Sequence, residues 1–435
     1  MYYFVGIKGA GMSALAQIMK QMGLNVSGSD KATHFFTQIG LEEKNIHFDA
    51  YNRENIKEGM IIIQGNSIKD DHEEIVRARE LNLTIIPYIE MLGNLTSKFK
   101  TITIAGCHGK TTTTSMLSLV FNEIVGCNYF IGDGTGFANQ KNEYFAVEAC
   151  EYKRHFLYFE KEIAIITNID LDHVDYFKDI DDVIDAYQSY VNNAKKLVIA
   201  CGEDPYTKRL VSDKIKFYGF NDEFDIVATN VVYHKLGTKF TCIIDNKEVG
   251  TFDIPVFGEH LVLNSLAVIA AAYYEGLDMN TVGSVFKSYE GAKRRFHSEN
   301  VNNHIIIDDY AHHPNEVKTV IAATKQKYPN HQIIGIFQPH TFSRTEEFYQ
   351  DFIESFKPLH KIYVLDIHQA RELQSDYPNI TSNIIIDALE NAYHIEMEHP
   401  GFAYEKEDSV YLIMSPNDLS VLKNNLIEYI KKEEQ

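Results

Sequence analysis

Thr101–Thr114, TITIAGCHGKTTTT, is the stretch that decides the fold of this chain. Its first four residues are a β-branched run that predicts a buried strand, and the apolar spacing over 116–124 predicts a helix after the glycine turn. A strand, a glycine turn and a helix in this order point backbone N–H groups at phosphate. The stretch therefore predicts a phosphate-binding loop within an α/β sheet.

The residues of this loop have the chemistry that a nucleoside triphosphate requires. Gly106 and Gly109 leave no side chain between the backbone and phosphate oxygens, Lys110 can reach the outer phosphates, and Thr111 can offer its hydroxyl to Mg²⁺. The longer nucleotide pattern also has glycine at position 104, where this chain has isoleucine. The loop therefore matches the shorter variant of the pattern, G-x-H-G-K-T. A Gly-Lys-Thr sequence that occurs by chance in a loop is the alternative, and the flanking strand and helix disfavour it. We predict an ATP site formed by Gly106, His108, Gly109, Lys110, Thr111 and Thr112.

Length and charge narrow the class of protein. A chain of 435 residues is too long for one core, so two or three domains are expected. Hydrophobic content of 45% and charged content of 23% are ordinary for a soluble globular protein. With 41 basic and 61 acidic residues the net charge is −20, which argues against nucleic-acid or membrane partners. Anionic substrates must then meet local basic pockets.

The five cysteines favour a reducing compartment. They are odd in number and contain no C-x-x-C pair, which suits free thiols better than disulfides or a zinc site. Cys107 lies in the phosphate loop, where it is either a thiol activated by the helix N-terminus or simply a small residue that fits. The first nine residues lack a basic region and a cleavage site, so we expect a cytoplasmic protein without a signal peptide.

The N-terminal segment, residues 1–95, predicts a small parallel α/β domain of the dinucleotide-binding type. A strand over 2–7 runs into a glycine loop, Gly6-Ile7-Lys8-Gly9-Ala10-Gly11-Met12-Ser13. Asp30 follows the second strand at about the distance of a ribose-binding acid. The spacing is G-x-x-G-x-G, so a purely structural tight turn is the alternative to nucleotide binding.

The central segment, residues 96–293, places polar residues at strand ends. Glu148 ends one predicted strand and His173 follows another. The carboxyl ends of parallel strands share one edge, so we expect both side chains to converge near Lys110. Thr111 and Glu148 then suit Mg²⁺, and His173 a second metal or a phosphate. Taken singly, Glu148 could be a solvated strand end and His173 a structural histidine.

Further along this segment, antiparallel strands are predicted over 226–254, followed by a helix. On that helix His260 and Asn264 are one turn apart on one face, which suits an adenine edge. Capping of the helix is the alternative for His260.

The last segment, residues 294–435, predicts a third α/β domain. Polar residues again follow its strands, in the groups Asp308–Pro314 and Gln338–Thr345. His312 and His313 with Asp308 and Asp309 could be read as a metal cluster. A proline at 314 fits the first position of a helix.

These motifs together resemble the Mur ligases, over essentially the whole chain and in the family's order. The residues that carry the resemblance are Gly106-x-His108-Gly109-Lys110-Thr111, Glu148-Ala149-x-Glu151, Thr167-Asn168-x-Asp170-x-Asp172-His173, Lys293-Arg294-Arg295-Phe296, Asp308-Asp309-Tyr310-Ala311-His312-His313-Pro314, and Gln338-Pro339-His340 with Arg344-Thr345. The histidine of the phosphate loop and the Asp308–Pro314 string are similar to the alanine-adding branch.

The resemblance implies an enzyme of peptidoglycan precursor synthesis with three domains: a Rossmann-like UDP-sugar domain, a P-loop ATPase-like domain with extra antiparallel strands, and a Rossmann-like amino-acid domain. It implies that ATP phosphorylates the lactyl carboxylate of UDP-N-acetylmuramate, and that L-alanine attacks the acyl phosphate to give a tetrahedral intermediate. One or two Mg²⁺ ions are implied, with Mn²⁺ as an alternative.

The resemblance also implies roles for individual residues. Lys110, Glu148, His173 and Arg344 would be catalytic, with Thr111, Glu148 and His173 on metal. His260, Asn264 and Arg295 would contact ATP. The residues that would bind substrate are Gly9, Gly11, Met12, Ser13, Asp30, Tyr310, His312 and His340.

Three positions depart from the family pattern. Lys8 replaces a frequent glycine, Leu261 a frequent asparagine, and Thr341 a frequent arginine. A ligase that reattaches recycled tripeptide and a nucleotide-binding regulator without turnover remain alternatives. A nicotinamide dehydrogenase would not explain Lys110 and Thr111.

Overall fold

The structure is a computed structural model that describes residues 1–173, 176–292, 295–370 and 372–433. Within these residues, hydrogen bonds form three sheets, of five, ten and six strands, and helices connect many of the parallel strands in each. The predicted three-part α/β fold is therefore confirmed. The predicted boundaries at 95/96 and 293/294 remain predictions, and residues 293 and 294 lie outside the described part of the chain.

The first sheet is parallel throughout. Its strands are β1 (Tyr2–Val5), β2 (Val26–Asp30), β3 (His47–Ala50), β4 (Ile61–Gln64) and β5 (Thr84–Pro87), in the order β3-β2-β1-β4-β5. Its helices are α1 (Ala10–Gln21), α2 (Gln38–Glu43), α3 (Glu73–Glu80) and α4 (Tyr88–Thr96). This doubly wound order starts at β1, so the glycine loop after β1 lies at the switch point, where such folds bind ligands.

The second sheet is mixed, as predicted. Its strands are β6 (Lys100–Ala105), β7 (Cys127–Phe130), β8 (Gly136–Phe137), β9 (Tyr144–Glu148), β10 (Lys161–Ile166), β11 (Ala194–Cys201), β12 (Ile215–Gly219), β13 (Ile226–His234), β14 (Gly237–Ile244) and β15 (Lys247–Ile254). Its helices are α5 (Lys110–Val125), α6 (Ile180–Asn192), α7 (Glu259–Tyr274) and α8 (Met279–Phe286). The order is β15-β14-β13-β12-β11-β10-β6-β9-β7-β8.

The second sheet consists of a parallel part and an antiparallel part. Strands β9, β6, β10 and β11 are parallel neighbours, which puts their carboxyl ends on one edge. Strands β13, β14 and β15 are adjacent in the sheet and joined by connections of two residues, which only antiparallel neighbours allow. The phosphate loop therefore belongs to the parallel half, beside β9 and β10.

The third sheet is parallel except at one edge, where β16 pairs antiparallel with β17. Its strands are β16 (His297–Val301), β17 (His304–Asp309), β18 (Gln332–Phe337), β19 (Lys361–Val364), β20 (Ala392–His394) and β21 (Ser409–Met414), in the order β16-β17-β21-β18-β19-β20. Its helices are α9 (Pro314–Lys327), α10 (Phe342–Phe356), α11 (Asn383–Ile386) and α12 (Ser420–Glu433).

The chain forms two compact units. One contains residues 1–231, 239–254 and 262–289, and the other contains 232–238, 255–261 and 290–435. In the first unit one hydrophobic core joins the first two sheets, because Leu15 of α1 and Leu92 of α4 share it with Phe130 and Phe145. In the second unit, separate cores cover the two faces of the third sheet.

Lys161 is an unusual component of the first unit's core. It begins β10, is 1% exposed, and its Nζ has no hydrogen-bond partner among the described residues. The ammonium group lies 4.2 Å from the ring centroid of Tyr190. Burial lowers the pKa of Lys161 to about 7, since a charge is costly where water is excluded.

We expect Lys161→Met to raise stability by about 2–4 kcal/mol at pH 6–7, because methionine fills similar space without a charge. Between the folded pKa of about 7 and the unfolded value of 10.5, the unfolded chain binds more protons. Stability due to this group therefore rises with pH over that window and is lowest below it. Thermal unfolding from pH 6 to 10 would show a flatter profile for the variant. A profile parallel to wild type, or a shift matched by the exposed control Lys195→Met, would contradict this.

Candidate active site

The phosphate loop lies between β6 and α5 and depends on its two glycines. Gly106 has a φ of 139°, and a Cβ there would overlap the Thr167 hydroxyl. Gly109 has a φ of 81° and precedes α5, and its Cβ would lie 3.1 Å from Asn264 Oδ1. Both positions need glycine for backbone conformation and for space. The first N–H groups of α5 consequently face the loop, as an anion site requires.

Lys110 is held at the base of this loop by a buried carboxylate. Its Nζ donates to Glu151 Oε2 at 3.0 Å and Oε1 at 3.2 Å, and to the carbonyl oxygens of Gly106 and Cys107. The Glu151 side chain is only 2% exposed. Burial is the largest single effect and lowers the pKa of Lys110, but Glu151, with smaller contributions from Cys150, Cys107 and Glu148, acts in the opposite direction and the net pKa is raised. Lys110 therefore carries its positive charge at neutral pH.

Thr111 and Glu148 form a pair of hard oxygen donors beside the lysine. Thr111 Oγ1 donates to Glu148 Oε1 at 3.0 Å, and the Gly132 N–H donates to Glu148 Oε2 at 2.7 Å. Burial raises the pKa of Glu148, and the nearby Lys110 opposes that shift. A hydroxyl and a carboxylate at one sheet edge fit the ligand preference of Mg²⁺.

His173 also converges on this edge. Its Nε2 lies 3.8 Å from Glu151 Oε1, and its ring centroid lies 4.7 Å from that of Tyr152. Lys110 and His173 thus both lie against Glu151, and Glu148 is hydrogen-bonded to Thr111, the residue after Lys110, so the three residues converge as expected from the strand ends. The sequence assigns no role to Glu151, because its pairing with Lys110 across 41 positions is visible only in the fold.

Thr167 and Asn168, which follow β10, form hydrogen bonds with the backbone of the phosphate loop. Asn168 accepts from the His108 N–H at 2.9 Å and donates to the His108 carbonyl at 2.9 Å. The His108 ring lies 3.5 Å from Asp170 Oδ2. These contacts fix the backbone of the loop, and Thr112 lies buried in the first turn of α5.

Cys107 is a structural thiol in this arrangement. Its Sγ donates to the Asp170 carbonyl at 3.1 Å, and burial raises its pKa well above the ordinary value. An activated thiol needs a lowered pKa, so the structure favours the small-residue interpretation.

Asn264 and His260 lie on α7, with Asn264 buried beside Gly109. His260 is the second residue of α7, so it is not the residue that caps the helix. Burial, with a smaller effect of Arg295, lowers the pKa of His260 to about 4. The imidazole is therefore neutral at physiological pH and offers one donor and one acceptor.

The N-terminal glycine loop is stiffened by the side chains predicted to bind substrate. Asp30 accepts from the N–H groups of Lys8 at 2.7 Å and Lys31 at 2.8 Å. Ser13 is fully buried, and its hydroxyl donates to the Thr37 carbonyl at 2.8 Å. The Asp30 carboxylate and the Ser13 hydroxyl thus already hold the loop. Gly9 directly precedes α1, Gly11 lies in its first turn, and Met12 is buried.

Lys8, one of the departures from the family pattern, has a structural role. Its Nζ donates at 2.9 Å to the carbonyl oxygens of both Lys31 and Thr33. The Thr37 hydroxyl donates to the carbonyl of Lys8. The lysine therefore fastens the segment after β2 onto the glycine loop.

In the second unit, five predicted residues form one cluster with Glu316. The Arg295 guanidinium lies 4.7 Å from the Tyr310 ring centroid and 3.6 Å from Glu316. His312 Nδ1 lies 3.1 Å from Glu316 Oε2. The His340 ring lies 6.0 Å from that of His312, and Arg344 Nη1 lies 3.4 Å from His340 Nδ1. The cluster combines cationic, aromatic and imidazole groups, which suits an anionic or zwitterionic ligand.

The structure does not support the interpretation of Asp308, Asp309, His312 and His313 as a metal-binding cluster. Asp309 accepts from the N–H groups of Phe296 and Ala311 at 2.7 and 2.8 Å. His313 is the N-cap of α9 in a capping box with Glu316. Burial raises the pKa of Asp309 to about 6, against the opposing effect of Arg295. These groups organise the start of α9 and the turn after β17.

The fold and the first unit's site define an α/β protein with a phosphate-binding loop and an adjacent oxygen-donor pair. Three domain families match the chain: the "Mur ligase family, catalytic domain" over residues 1–100, the "Mur ligase middle domain" over 104–272, and the "Mur ligase, glutamate ligase domain" over 294–417. The chain belongs to the Mur ligase family, whose enzymes are ATP-dependent ligases of peptidoglycan synthesis.

Solved structures share the fold over nearly the whole chain. A UDP-N-acetylmuramate–alanine ligase of Thermotoga maritima is 24% identical, with a TM-score of 0.85 and 99% of both chains covered. A murein peptide ligase of Psychrobacter arcticus is 20% identical, with a TM-score of 0.72 and 99% of this chain and 98% of that chain covered. A MurF ligase of Thermotoga maritima in complex with ADP is 13% identical, with a TM-score of 0.62 and coverage of 94% and 96%.

Among the described residues, no helix combines the length and apolar character needed to cross a bilayer.

Proposed function

We propose that this chain is a cytoplasmic ligase that uses ATP to join L-alanine to the lactyl carboxylate of UDP-N-acetylmuramate. The observation that carries the proposal is the convergence of Lys110, the Thr111–Glu148 pair and His173 at one sheet edge. Two anions, ATP and a carboxylate, must approach each other in this reaction. A charged lysine and a metal site at the same edge reduce their repulsion.

The first step transfers the γ-phosphoryl group to the lactyl carboxylate, which forms an acyl phosphate and releases ADP. The N–H groups at the start of α5 and the ammonium of Lys110 stabilise the charge on the phosphate oxygens. Thr111 and Glu148 would hold the divalent cation, which supplies charge neutralisation when bound. We assign His173 to a second metal or to the acyl phosphate, and His260 and Asn264 to the adenine of ATP.

The second step is attack of the neutral alanine amine on the acyl carbon. The resulting tetrahedral intermediate expels phosphate and leaves an amide. We place substrate recognition in this step on the second unit's cluster of Arg295, Tyr310, His312, His340 and Arg344. Gly9 and Gly11 of the first glycine loop, with Met12, Ser13 and Asp30 as its framework, would serve the UDP moiety.

A matrix of amino acids and UDP-sugars, assayed for ADP release and for product mass, tests the proposal. UDP-N-acetylmuramate with L-alanine should release ADP and give the alanyl amide. The tripeptide-recycling ligase is the second candidate, favoured by the structural likeness to a murein peptide ligase. It would be preferred if L-Ala-γ-D-Glu-diaminopimelate supported ADP release and alanine did not. No ADP with any pair would indicate a nucleotide-binding regulator.

Glu148→Gln is expected to raise the Mg²⁺ concentration for half-maximal activity by about ten- to a hundredfold. Glutamine can still accept the Gly132 N–H, but it lacks the charge that attracts the cation. The measurement is initial rate against Mg²⁺ at saturating ATP. Glu160→Gln is the matched control, because Glu160 is exposed and pairs with Lys195. An unchanged Mg²⁺ profile in the Glu148 variant would remove the metal assignment.

A further inference from the structure

Gln326, in the last turn of α9, uses its whole side-chain amide to join two other segments of the second unit. Its Oε1 accepts from the Gly258 N–H at 2.7 Å. Its Nε2 donates to the carbonyl oxygens of His234 at 3.3 Å and Gly237 at 3.0 Å, and to Thr238 Oγ1 at 3.3 Å. One side chain thus holds the tip of the β13–β14 hairpin and the turn before α7.

The turn that Gln326 holds sets the start of the helix that carries His260. Gly258 has a φ of +85°, and a Cβ there would lie 2.9 Å from His260 Nδ1 and 3.8 Å from Ala323 Cβ of α9. The backbone of this turn is therefore packed tightly against the imidazole of His260 and lies within van der Waals reach of α9. A shift of Gly258 would move His260 with it.

Lys327, the residue of α9 that follows Gln326, packs against the same turn before α7. The ammonium of Lys327 lies 5.1 Å from the ring centroid of Phe257 and 5.3 Å from that of Phe296. The Phe257 and Phe296 rings lie 5.7 Å apart. The segment 255–261 accordingly belongs to the same compact unit as α9, although the sequence places it between β15 and α7.

We propose that Gln326 is a positioning residue for ATP binding, which acts through Gly258 on the imidazole of His260. The proposal rests on the proposed function, in which His260 contacts the adenine. The acceptor Oε1 is the atom that matters for nucleotide affinity, because it alone holds the Gly258 N–H. The donor Nε2 serves the hairpin tip and contributes to stability.

Two charged variants distinguish the role of the acceptor Oε1 from that of the donor Nε2. Gln326→Lys keeps a donor for the hairpin carbonyl groups and loses the acceptor for Gly258, so we expect KM for ATP to rise about five- to tenfold. Its kcat and its KM for UDP-N-acetylmuramate should stay within about twofold of wild type. Gln326→Glu keeps the acceptor and loses the donors, so we expect a near-normal KM for ATP with a lower melting temperature. Ala322→Lys and Ala322→Glu, at an exposed position of α9, control for the added charges.

A double-mutant cycle with His260→Ala tests the route of the effect. If Gln326 acts through His260, Gln326→Lys should add little to the KM increase of His260→Ala. Full additivity, or equal KM values for ATP in Gln326→Lys and Gln326→Glu, would overturn the proposal. Gln326→Met replaces Gln326→Lys if the latter does not fold, with the same expected KM increase.

Calorimetric titration with ADP separates failure of this inference from failure of the proposed function. Wild-type protein that neither binds ADP nor releases it from ATP would contradict the proposed function, and the inference with it. Wild-type protein that binds ADP, together with a Gln326→Lys variant of equal ADP affinity, would overturn the inference alone.

Discussion

Lys110→Met is expected to lower kcat for ADP release at least about a hundredfold, with a smaller change in KM for UDP-N-acetylmuramate. Lys110 is largely buried, charged and directed at the phosphate loop, so its ammonium stabilises charge that develops during phosphoryl transfer. Methionine fills similar volume but leaves the phosphate oxygens to the backbone N–H groups alone. Steady-state kinetics with saturating Mg²⁺ and ATP measure the effect.

The control for this substitution is Lys195→Met, which removes a lysine from the exposed start of β11, at the opposite edge of the same sheet. It should leave kcat within about twofold, as surface substitutions commonly do. Near-normal turnover in Lys110→Met would remove the phosphate role of this residue. Equal losses in both variants would point to a general effect of charge.

The site's location could be predicted from the sequence because strand ends carry direct information. Glu148 ends β9 and His173 follows β10, and both strands pair parallel with β6, which leads into the phosphate loop. Parallel pairing then brings the two residues to one edge without any knowledge of side-chain contacts. Their convergence near Lys110 followed from topology alone.

Side-chain partners could not be predicted in this way. Asn168 stands in a quoted motif without a predicted partner, and in the structure it hydrogen-bonds the backbone of His108. Asp30 has the position of a ribose-binding acid, which stays a prediction, and the sequence did not indicate that its oxygens also accept the N–H groups of Lys8 and Lys31. His313, a metal candidate in the sequence, caps α9. Polar residues at strand ends bind ligands or hold loops, and only geometry distinguishes these uses.

The sequence pattern also does not predict strands that are short or exposed. Strand β3, His47–Ala50, is largely solvent-exposed and lacks apolar alternation, and β8 has only two residues. They become strands only through pairing, β3 with β2 and β8 with β7, and this pairing is not visible in their own residues. The allocation of residues 232–238 and 255–261 to the second unit likewise depends on contacts such as those of Gln326.

Glu151→Gln is expected to destabilise the protein by about 3–5 kcal/mol, because it leaves the Lys110 ammonium buried without its counter-charge. Glu151 is 2% exposed and holds Lys110 at 3.0 Å. The same change should lower the pKa of Lys110, so kcat should fall at high pH, where the variant lysine loses its proton. Thermal unfolding and the pH dependence of kcat are the two measurements.

The double variant Lys110→Met with Glu151→Gln separates stability from catalysis. Removing both charges abolishes the uncompensated buried ion, so most of the stability lost in Glu151→Gln should return. Activity should stay as low as in Lys110→Met, since the ammonium is still absent. A double variant as unstable as Glu151→Gln alone would show that the carboxylate stabilises the fold through other contacts, such as that with His173 at 3.8 Å, and not as the counter-charge of Lys110.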